Sequence, residues 1–484
     1  MKKQKLIFII SFLFMISCEG FLEQEPLSSV NSENFFKTEA DVQASISAVY
    51  SQLKSHYASL VFYFGDISTE MANNGETNST LDRGEYTAAD GVFRSFWTNM
   101  YKTINYANVA IENIPGVTMD NAIKEKYLGE AHFLRALAYF ELVKGFGGVP
   151  KITKPTKDET NNFLPRSTSD EIYELILSDL QYAESVLPDE KSKGRATIWA
   201  VKALMAKVYL QKGDFEKTRE KSLEVINSSV HELAPFLKDV FDISKENGVE
   251  HIFSIQFLGD DTEGLGSSIS RVYASRNPEI NPSGLPSYAG IAAESDFYNS
   301  IPDHFRKRFT ILAEFPSSYY PEIKATGPAQ AGPCCMKFWD PLYGTRIGGD
   351  DANWMLIRYA DVLLMYAEAE NELNGPTPSA YEAVNKIRKR ARDENQNNID
   401  EPDELYELPD LEGLSKEQFR EAVWKEREME LCFEGHHRWD LIRTNRFVEV
   451  LNSNGVPVSE VNKLFPIPHL ELLANPNLIQ NTGY

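Results

Sequence analysis

Apolar residues recur at helical spacing along most of this chain. From Ala131 to Val143 they place Phe133, Ala136, Leu137, Phe140 and Val143 on one face, with Ala131 and Ala138 small enough to admit a neighbouring helix. Gly145, Gly147, Gly148 and Pro150 predict the stop. The segment Ala196 to Leu210 repeats the pattern with Trp199, Ala203, Ala206 and Leu210, turns at Lys212-Gly213-Asp214, and returns as a second helix from Phe215 to Ile226. Another pair runs from Arg358 through Ala369, turns at Asn374-Gly375-Pro376, and returns over Ala380 to Ala391.

A helix, a short glycine turn and a returning helix resemble a tetratricopeptide repeat, with Thr218 standing where that repeat has alanine. From about Glu232 to Asn353 this rhythm fails. There Val249 to Phe257 alternates like a strand, and Asn277 to Gly290 and Gly327 to Pro333 are rich in turn residues. Met71 to Gly84, carrying Asn73, Asn74, Gly75, Asn78, Asp82 and Arg83, is a second stretch of this kind. The expected fold is mainly α: tetratricopeptide-like helix pairs form a scaffold, and an irregular loop-rich segment with a few short strands lies against it.

The two ends and the charge narrow the setting. Lys2, Lys3 and Lys5 precede an apolar run from Leu6 to Ile16, the build of a secretory signal and too short for a permanent span. Ser17-Cys18 resembles a lipobox, with Met15 and Ile16 at its usual leucine and small-residue positions. Residues 1–17 are therefore expected to be a signal peptide, 18–30 an acidic tether lipidated on Cys18, and 31–484 a single domain whose irregular part covers about 232–353. Lipid chains would hold the protein to a membrane through buried methylenes at about 0.8 kcal/mol each. The formal charge of −22 repels phosphate backbones, excluding nucleic acid as a partner, and disfavours anionic membrane surfaces. Beyond Cys18 the cysteines are Cys334, Cys335 and Cys432, an odd number that builds no disulfide framework. The adjacent pair is expected to be reduced or structural rather than a strained vicinal disulfide.

The C-terminal region carries the most specific pattern. Glu426-Arg427 and Glu430-Leu431 lead to Glu434-Gly435-His436-His437-Arg438-Trp439-Asp440-Leu441-Ile442-Arg443, then to Leu464-Phe465-Pro466-Ile467-Pro468 and Asn475-Pro476-Asn477-Leu478. Phe133-Leu134-Arg135-Ala136, Phe146-Gly147-Gly148-Val149-Pro150, Arg358-Tyr359-Ala360-Asp361, Ala367-Glu368-Ala369 and Asn385-Lys386-Ile387-Arg388 precede it in order. The series resembles the SusD/RagB family, surface nutrient-binding lipoproteins of Bacteroidetes. That resemblance implies a lipid-anchored protein on the outer membrane that binds a nutrient and delivers it to a TonB-dependent transporter of the SusC type. An oligosaccharide is the favoured cargo, a peptide the alternative. No cofactor is implied.

The candidate chemistry agrees with binding rather than turnover. Arg427, Glu430, Glu434, Arg438 and Asp440 alternate in sign at helical spacing, which suits a buried ionic network at the Gly435 junction rather than catalysis. His436 and His437 are sequence neighbours and point about 100° apart on a helix, so they cannot share a metal as an i, i+4 pair does. The chain has no His-Glu-x-x-His, paired Cys-x-x-Cys or Gly-x-Ser-x-Gly motif. A glycoside hydrolase needs only two well-spaced carboxylates and stays a formal rival; a repeat adaptor that binds proteins alone leaves the lipobox unexplained. The ligand site is expected on the loops, with Asn73, Asn74 and Arg83 as hydrogen-bonders and Tyr288 as a stacking platform facing them across a shallow groove. Tyr273 is also expected to be free to face solvent, and the stretch around Trp339 and Tyr343 is the next candidate. Trp97, Trp199, Trp354, Trp424 and Trp439 are assigned to or beside the helical core.

Overall fold

The computed structural model describes residues 35–58, 60–74, 80–156, 163–259, 264–274, 291–320, 323, 326–329, 332–342, 345, 349–393 and 408–484. Among the described residues, nine long helices carry the scaffold: α1 Glu39–Tyr57, α2 Gly91–Asn113, α3 Asn121–Phe146, α4 Ser169–Val186, α5 Ile198–Lys212, α6 Phe215–Ser228, α7 Tyr359–Asn374, α8 Pro378–Arg392 and α9 Lys416–Glu430. Each of the first eight packs on the next, and α9 packs on α7 and α8. The chain thus builds a stack of sequential neighbours, in which α5–α6 and α7–α8 are the helix pairs expected from the sequence.

Local sequence sets the ends of these helices. Thr38, Thr168 and Ser415 form capping boxes with Asp41, Glu171 and Gln418, meeting amide groups that the first helical turn leaves unpaired. Gly213, at φ 74°, ends α5 in the left-handed conformation and lets α6 begin two residues later. The stop expected at Gly145 falls slightly later. Helix α3 runs through Gly145, whose missing side chain admits the Phe96 ring, and ends where Gly147 takes φ 71°. Helices α3, α5 and α7 are buried around nearly their whole circumference. Their neighbours present one apolar face inward and a charged face outward.

Trp97, Trp199, Trp354 and Trp439 are core residues, as expected, while Trp424 is half-buried. Trp354 opens β8, Trp354–Arg358, which pairs antiparallel with β2, His251–Ile255, inside the predicted alternating segment. Both strands are buried on both faces between the scaffold and the irregular region.

The described residues of 232–353 contain helices of three to six residues and strands of two, apart from β2. The short strands lie in a strip. β1, Ala72–Asn73, pairs with β3, Ala292–Ala293; Ala293 N donates to Pro333 O beside β7, Cys334–Cys335; and β7 pairs with β4, Ile311–Leu312. Next to it, β5, Glu314–Phe315, pairs with β6, Gly327–Pro328. Under the strip lies a small apolar cluster of its own, including Leu312, Phe315, Tyr320, Cys334, Met336 and Trp339. Cys334, Cys335 and Cys432 are buried free thiols, so the adjacent pair is the reduced, structural one.

Candidate ligand-binding site

The C-terminal motif residues form a buried ionic network that fixes the irregular segment to the scaffold. Glu426 takes Arg306 at 2.7 Å and Arg388 at 3.0 Å; Glu430 takes Arg306 at 2.5 Å, Arg358 at 2.7 Å and Arg390 at 2.7 Å. Glu434 meets Arg358 and Lys337, each at 2.7 Å, and Glu250 closes the ring through Arg358 and Arg390. Burial alone would raise the Glu430 carboxyl, but the guanidinium groups of Arg358, Arg390 and Arg306 draw it far below the usual carboxylate range. A neighbouring cluster joins Arg427 to Asp361 and Asp440, and Arg443 to Glu368 and Asp440. These groups hold one another.

Arg438 stands outside this network. It is fully buried, yet its guanidinium donates to Asn462 O at 2.5 Å and Ser68 O at 3.3 Å and stacks against Phe447 and Phe465, 4.4 and 4.3 Å from the ring centres. The expectation of a carboxylate partner for Arg438 is therefore corrected: carbonyl oxygens and ring faces take that place. Both adjacent histidines are buried and turn to different partners. His436 Nδ1 lies 2.9 Å from Lys207 Nζ, and His437 Nε2 lies 2.6 Å from Glu70 Oε1.

Among the loop residues, Asn73 is half-buried in β1, and the Asn74 amide donates to Asp82 Oδ2 at 2.9 Å, folding the stretch back on itself. Arg83 pairs with Glu85 at 2.7 Å on the surface. Met71, Ala72 and Leu81 are core residues, so this stretch is partly anchored rather than a free loop. Tyr288 and all of Asn277 to Gly290 lie outside the described residues, as do Cys18, Gly75, Asn78 and Tyr343. The residues just past Gly290 pair with the first stretch, Asn73 opposite Ala292, and Glu294 N donates to Met71 O at 3.0 Å. Tyr273 is a core residue whose hydroxyl donates to Phe433 O at 3.0 Å, which corrects its assignment to solvent. Its ring lies among Phe62, Phe338 and Phe433, a depth that local sequence pattern did not signal.

A cavity of about 580 Å³ opens within the irregular segment, between residues 238–244 and residues 309–351. Phe309, Tyr319, Tyr320 and Trp339 supply ring surface, and Asp340 and Asp351 supply carboxylates. Phe309 and Tyr320 stack with ring centres 5.6 Å apart, so their planes are held rather than free to rotate. Asp340 is itself committed: its two oxygens accept from the amides of Leu342, at 2.8 Å, and Asp351, at 3.2 Å. Rings beside carboxylates and backbone amides can stack on an apolar ligand face and bond its hydroxyls. The cavity lies at the stretch around Trp339 that the sequence offers second. Phe309 and Tyr319-Tyr320 were missed there; their signal is a run of aromatics in a segment with no helical period to bury them.

A stack of helix pairs carrying an irregular segment with a ring-lined cavity defines a helical-repeat scaffold with a candidate ligand site. A sequence profile described as the SusD family matches residues 313–484, and one described as starch-binding associating with outer membrane matches residues 20–210. The chain is 31% identical over 527 residues to SusD-like protein P38 of Formosa agariphila and 29% over 544 residues to SusD-like protein P25 of the same organism, each alignment covering 100% of both chains. Among solved structures it is similar to a SusD superfamily protein from Parabacteroides distasonis, with TM-score 0.78 and 26% identity over 94% of this chain and 100% of that one. A laminarin binding SusD-like protein gives TM-score 0.78 and 25% identity over 93% of this chain and 100% of that one. The chain belongs to the SusD family. No helix among the described residues is long and apolar enough to cross a membrane.

Proposed function

We propose that this protein binds an oligosaccharide in the cavity beside Trp339 and, anchored through lipid on Cys18 after loss of residues 1–17, delivers it at the outer-membrane surface to a TonB-dependent transporter of the SusC type. The observation that carries the reading is the lining of the cavity, where Phe309, Tyr319, Tyr320 and Trp339 stand beside Asp340 and Asp351. The laminarin-binding relative supports a glycan as the cargo class. The commitment of Asp340 supports binding rather than turnover, since a carboxylate accepting two backbone amides is poorly placed to shuttle protons. Asn73, Asn74 and Arg83, with Tyr288 from the sequence reading, are the proposed rim. Residues 18–30 serve as the tether, and the remainder acts as one domain.

Titration with laminarin, starch and xylan tests the reading. Tyr319→Ala, at a half-buried ring, is expected to weaken binding by about 1–3 kcal/mol, the size of a lost stacking contact. Tyr288→Ala tests the rim in the same way. Hydrolysis of a bound glycan by the purified protein would overturn the non-catalytic reading. Cys18→Ala is expected to release the protein from membranes, and an outer-membrane barrel is expected to copurify with the lipidated form.

A further inference from the structure

Helix α2 borders a second ring-lined cavity, of about 430 Å³, that shares no lining residue with the one beside Trp339. Thr98, Lys102, Asn105 and Tyr106 follow one another at helical spacing along one wall, and Trp97 and Tyr101, their ring centres 5.0 Å apart, form the adjoining stripe. The rest of the lining comes from residues 150–163 and from the C-terminal region, where the short helix His469–Ala474 supplies Glu471. Hydrogen bonds fix these walls. Tyr101 Oη donates to Pro150 O at 2.9 Å, Thr156 N donates to Asn105 Oδ1 at 2.9 Å, and Asn477 Nδ2 donates to Phe163 O at 2.6 Å. The cavity is therefore preformed, and its volume lies in the range of small-ligand sites.

Its rings and its polar groups are both uncommitted. Tyr106 and Phe163, 41% and 44% exposed, are the only phenylalanine, tyrosine or tryptophan side chains among the described residues that stand so open to solvent, and both line this cavity. Among the described residues, no hydrogen bond or ion pair engages Thr98 Oγ1, Lys102 Nζ, Asn105 Nδ2 or the Glu471 carboxylate. Burial raises the Glu471 carboxyl above its ordinary range, so the charged form gains from an added donor. An apolar protein surface laid over these four groups would strip their water and return nothing. A sugar returns hydroxyls that donate or accept as each group requires, while its CH face lies on a ring. Opposite charges on Lys102 and Glu471 match a ligand without net charge, and the −22 charge of the chain repels an acidic polymer. We propose that this cavity is a second glycan site, taking a segment of a neutral oligosaccharide on Tyr106 and Phe163, with Thr98, Lys102, Asn105 and Glu471 bonding its hydroxyls. This role rests on the reading that the protein binds glycans, whichever cavity holds the tighter segment.

Calorimetric titration of the full-length protein with laminarihexaose counts the sites. Wild type is expected to bind two hexaoses. Tyr106→Ala is expected to weaken one of them about tenfold and leave the other unchanged, Tyr319→Ala to do the reverse, and the double variant to weaken both. The melting temperature of Tyr106→Ala should match wild type, because the lost ring is an exposed one. Phe163→Ala is expected to repeat Tyr106→Ala, and it carries the test should Tyr106→Ala not fold. A single hexaose that responds to Tyr319→Ala and ignores both Tyr106→Ala and Phe163→Ala would overturn the second site and leave the cavity beside Trp339 standing. A single hexaose that responds to Tyr106→Ala and Phe163→Ala and ignores Tyr319→Ala would support the site on α2 and overturn the one beside Trp339. A hexaose that ignores all three variants, or a wild type that binds neither laminarihexaose nor the oligosaccharides of starch and xylan, would overturn both.

Discussion

Replacing Glu430 by glutamine removes one charge from the centre of the ionic network while keeping its shape. The carboxylate accepts from Arg306, Arg358 and Arg390 at 2.5–2.7 Å, and all four side chains are at most 3% exposed. The network contains five cations, Arg306, Lys337, Arg358, Arg388 and Arg390, against four carboxylates, Glu250, Glu426, Glu430 and Glu434. Losing one leaves three for five. Removing a single partner from a buried ion pair costs about 3–5 kcal/mol, because the surviving charge stays buried without compensation. The amide oxygen of glutamine still accepts from one guanidinium, so Glu430→Gln is expected at the lower end, about 3 kcal/mol, and Glu430→Ala at the upper end. Denaturant titration measures this directly. A double variant, Glu430→Gln with Arg306→Met, is expected to regain about 1–2 kcal/mol over Glu430→Gln, since Arg306 then no longer needs a second carboxylate. If Glu430→Gln alone falls within 1 kcal/mol of wild type, the network is screened by water and the reasoning fails.

Other perturbations follow from the same geometry. Burial pushes the Asp66 carboxyl up to about 7 against His437 and the Gly435 amide. The folded state then holds a proton that the unfolded chain has released, so stability falls as pH rises from about 4 to 7. Asp66→Asn is expected to flatten that slope and to gain about 2–4 kcal/mol at pH 8, read from urea midpoints at pH 5 and pH 8. Arg438→Ala is expected to destabilise the fold by about 2–4 kcal/mol by stranding Asn462 O and Ser68 O and emptying the space between Phe447 and Phe465. Arg438→Lys should recover little of this in the same denaturant titration, because an ammonium cannot stack between rings as a guanidinium does. Gly435→Ala, at φ 75° with Trp354 and Val61 atoms 3.2 Å from the added methyl, is expected to lower the melting temperature by several degrees.

Where a residue's role is settled by its own helix, the sequence conveyed it. The pairs α5–α6 and α7–α8 were legible because Trp199, Ala203 and Leu210, or Val362 and Ala369, repeat at helical spacing and a glycine marks each turn. The strand at His251 was legible for the same reason at period two. The ionic character of Glu426 to Arg443 was visible, but the partners were not: Arg306, Lys337 and Arg390 lie far away in sequence, and no local spacing announces them. Arg438 shows the limit most clearly, since a guanidinium between two phenylalanines has the same sequence signature as one between two carboxylates. Tyr273 fails similarly, being buried by Phe338 and Phe433 from remote segments. The irregular segment was legible by its loss of period, and for the same reason its individual side chains could not be ranked. Asn74 and Arg83 proved to be occupied with Asp82 and Glu85, and the ring-lined cavity lay at the second choice.

The reach of the ionic network also orders the history of each molecule. Arg306, Lys337 and Arg358 precede Glu426, Glu430 and Glu434, which neutralise them, in the order in which the chain is made and, under the proposed export, emerges to fold. Helices α1 to α6 contain their own packing partners and can collapse as soon as they emerge. The middle of the chain cannot, because closing around several bare cations is prohibitive until the acidic helix arrives. The irregular segment is therefore expected to be the last region to become native. A chain truncated before residue 426 is expected to keep a compact amino-terminal half and an open centre, vulnerable to proteases.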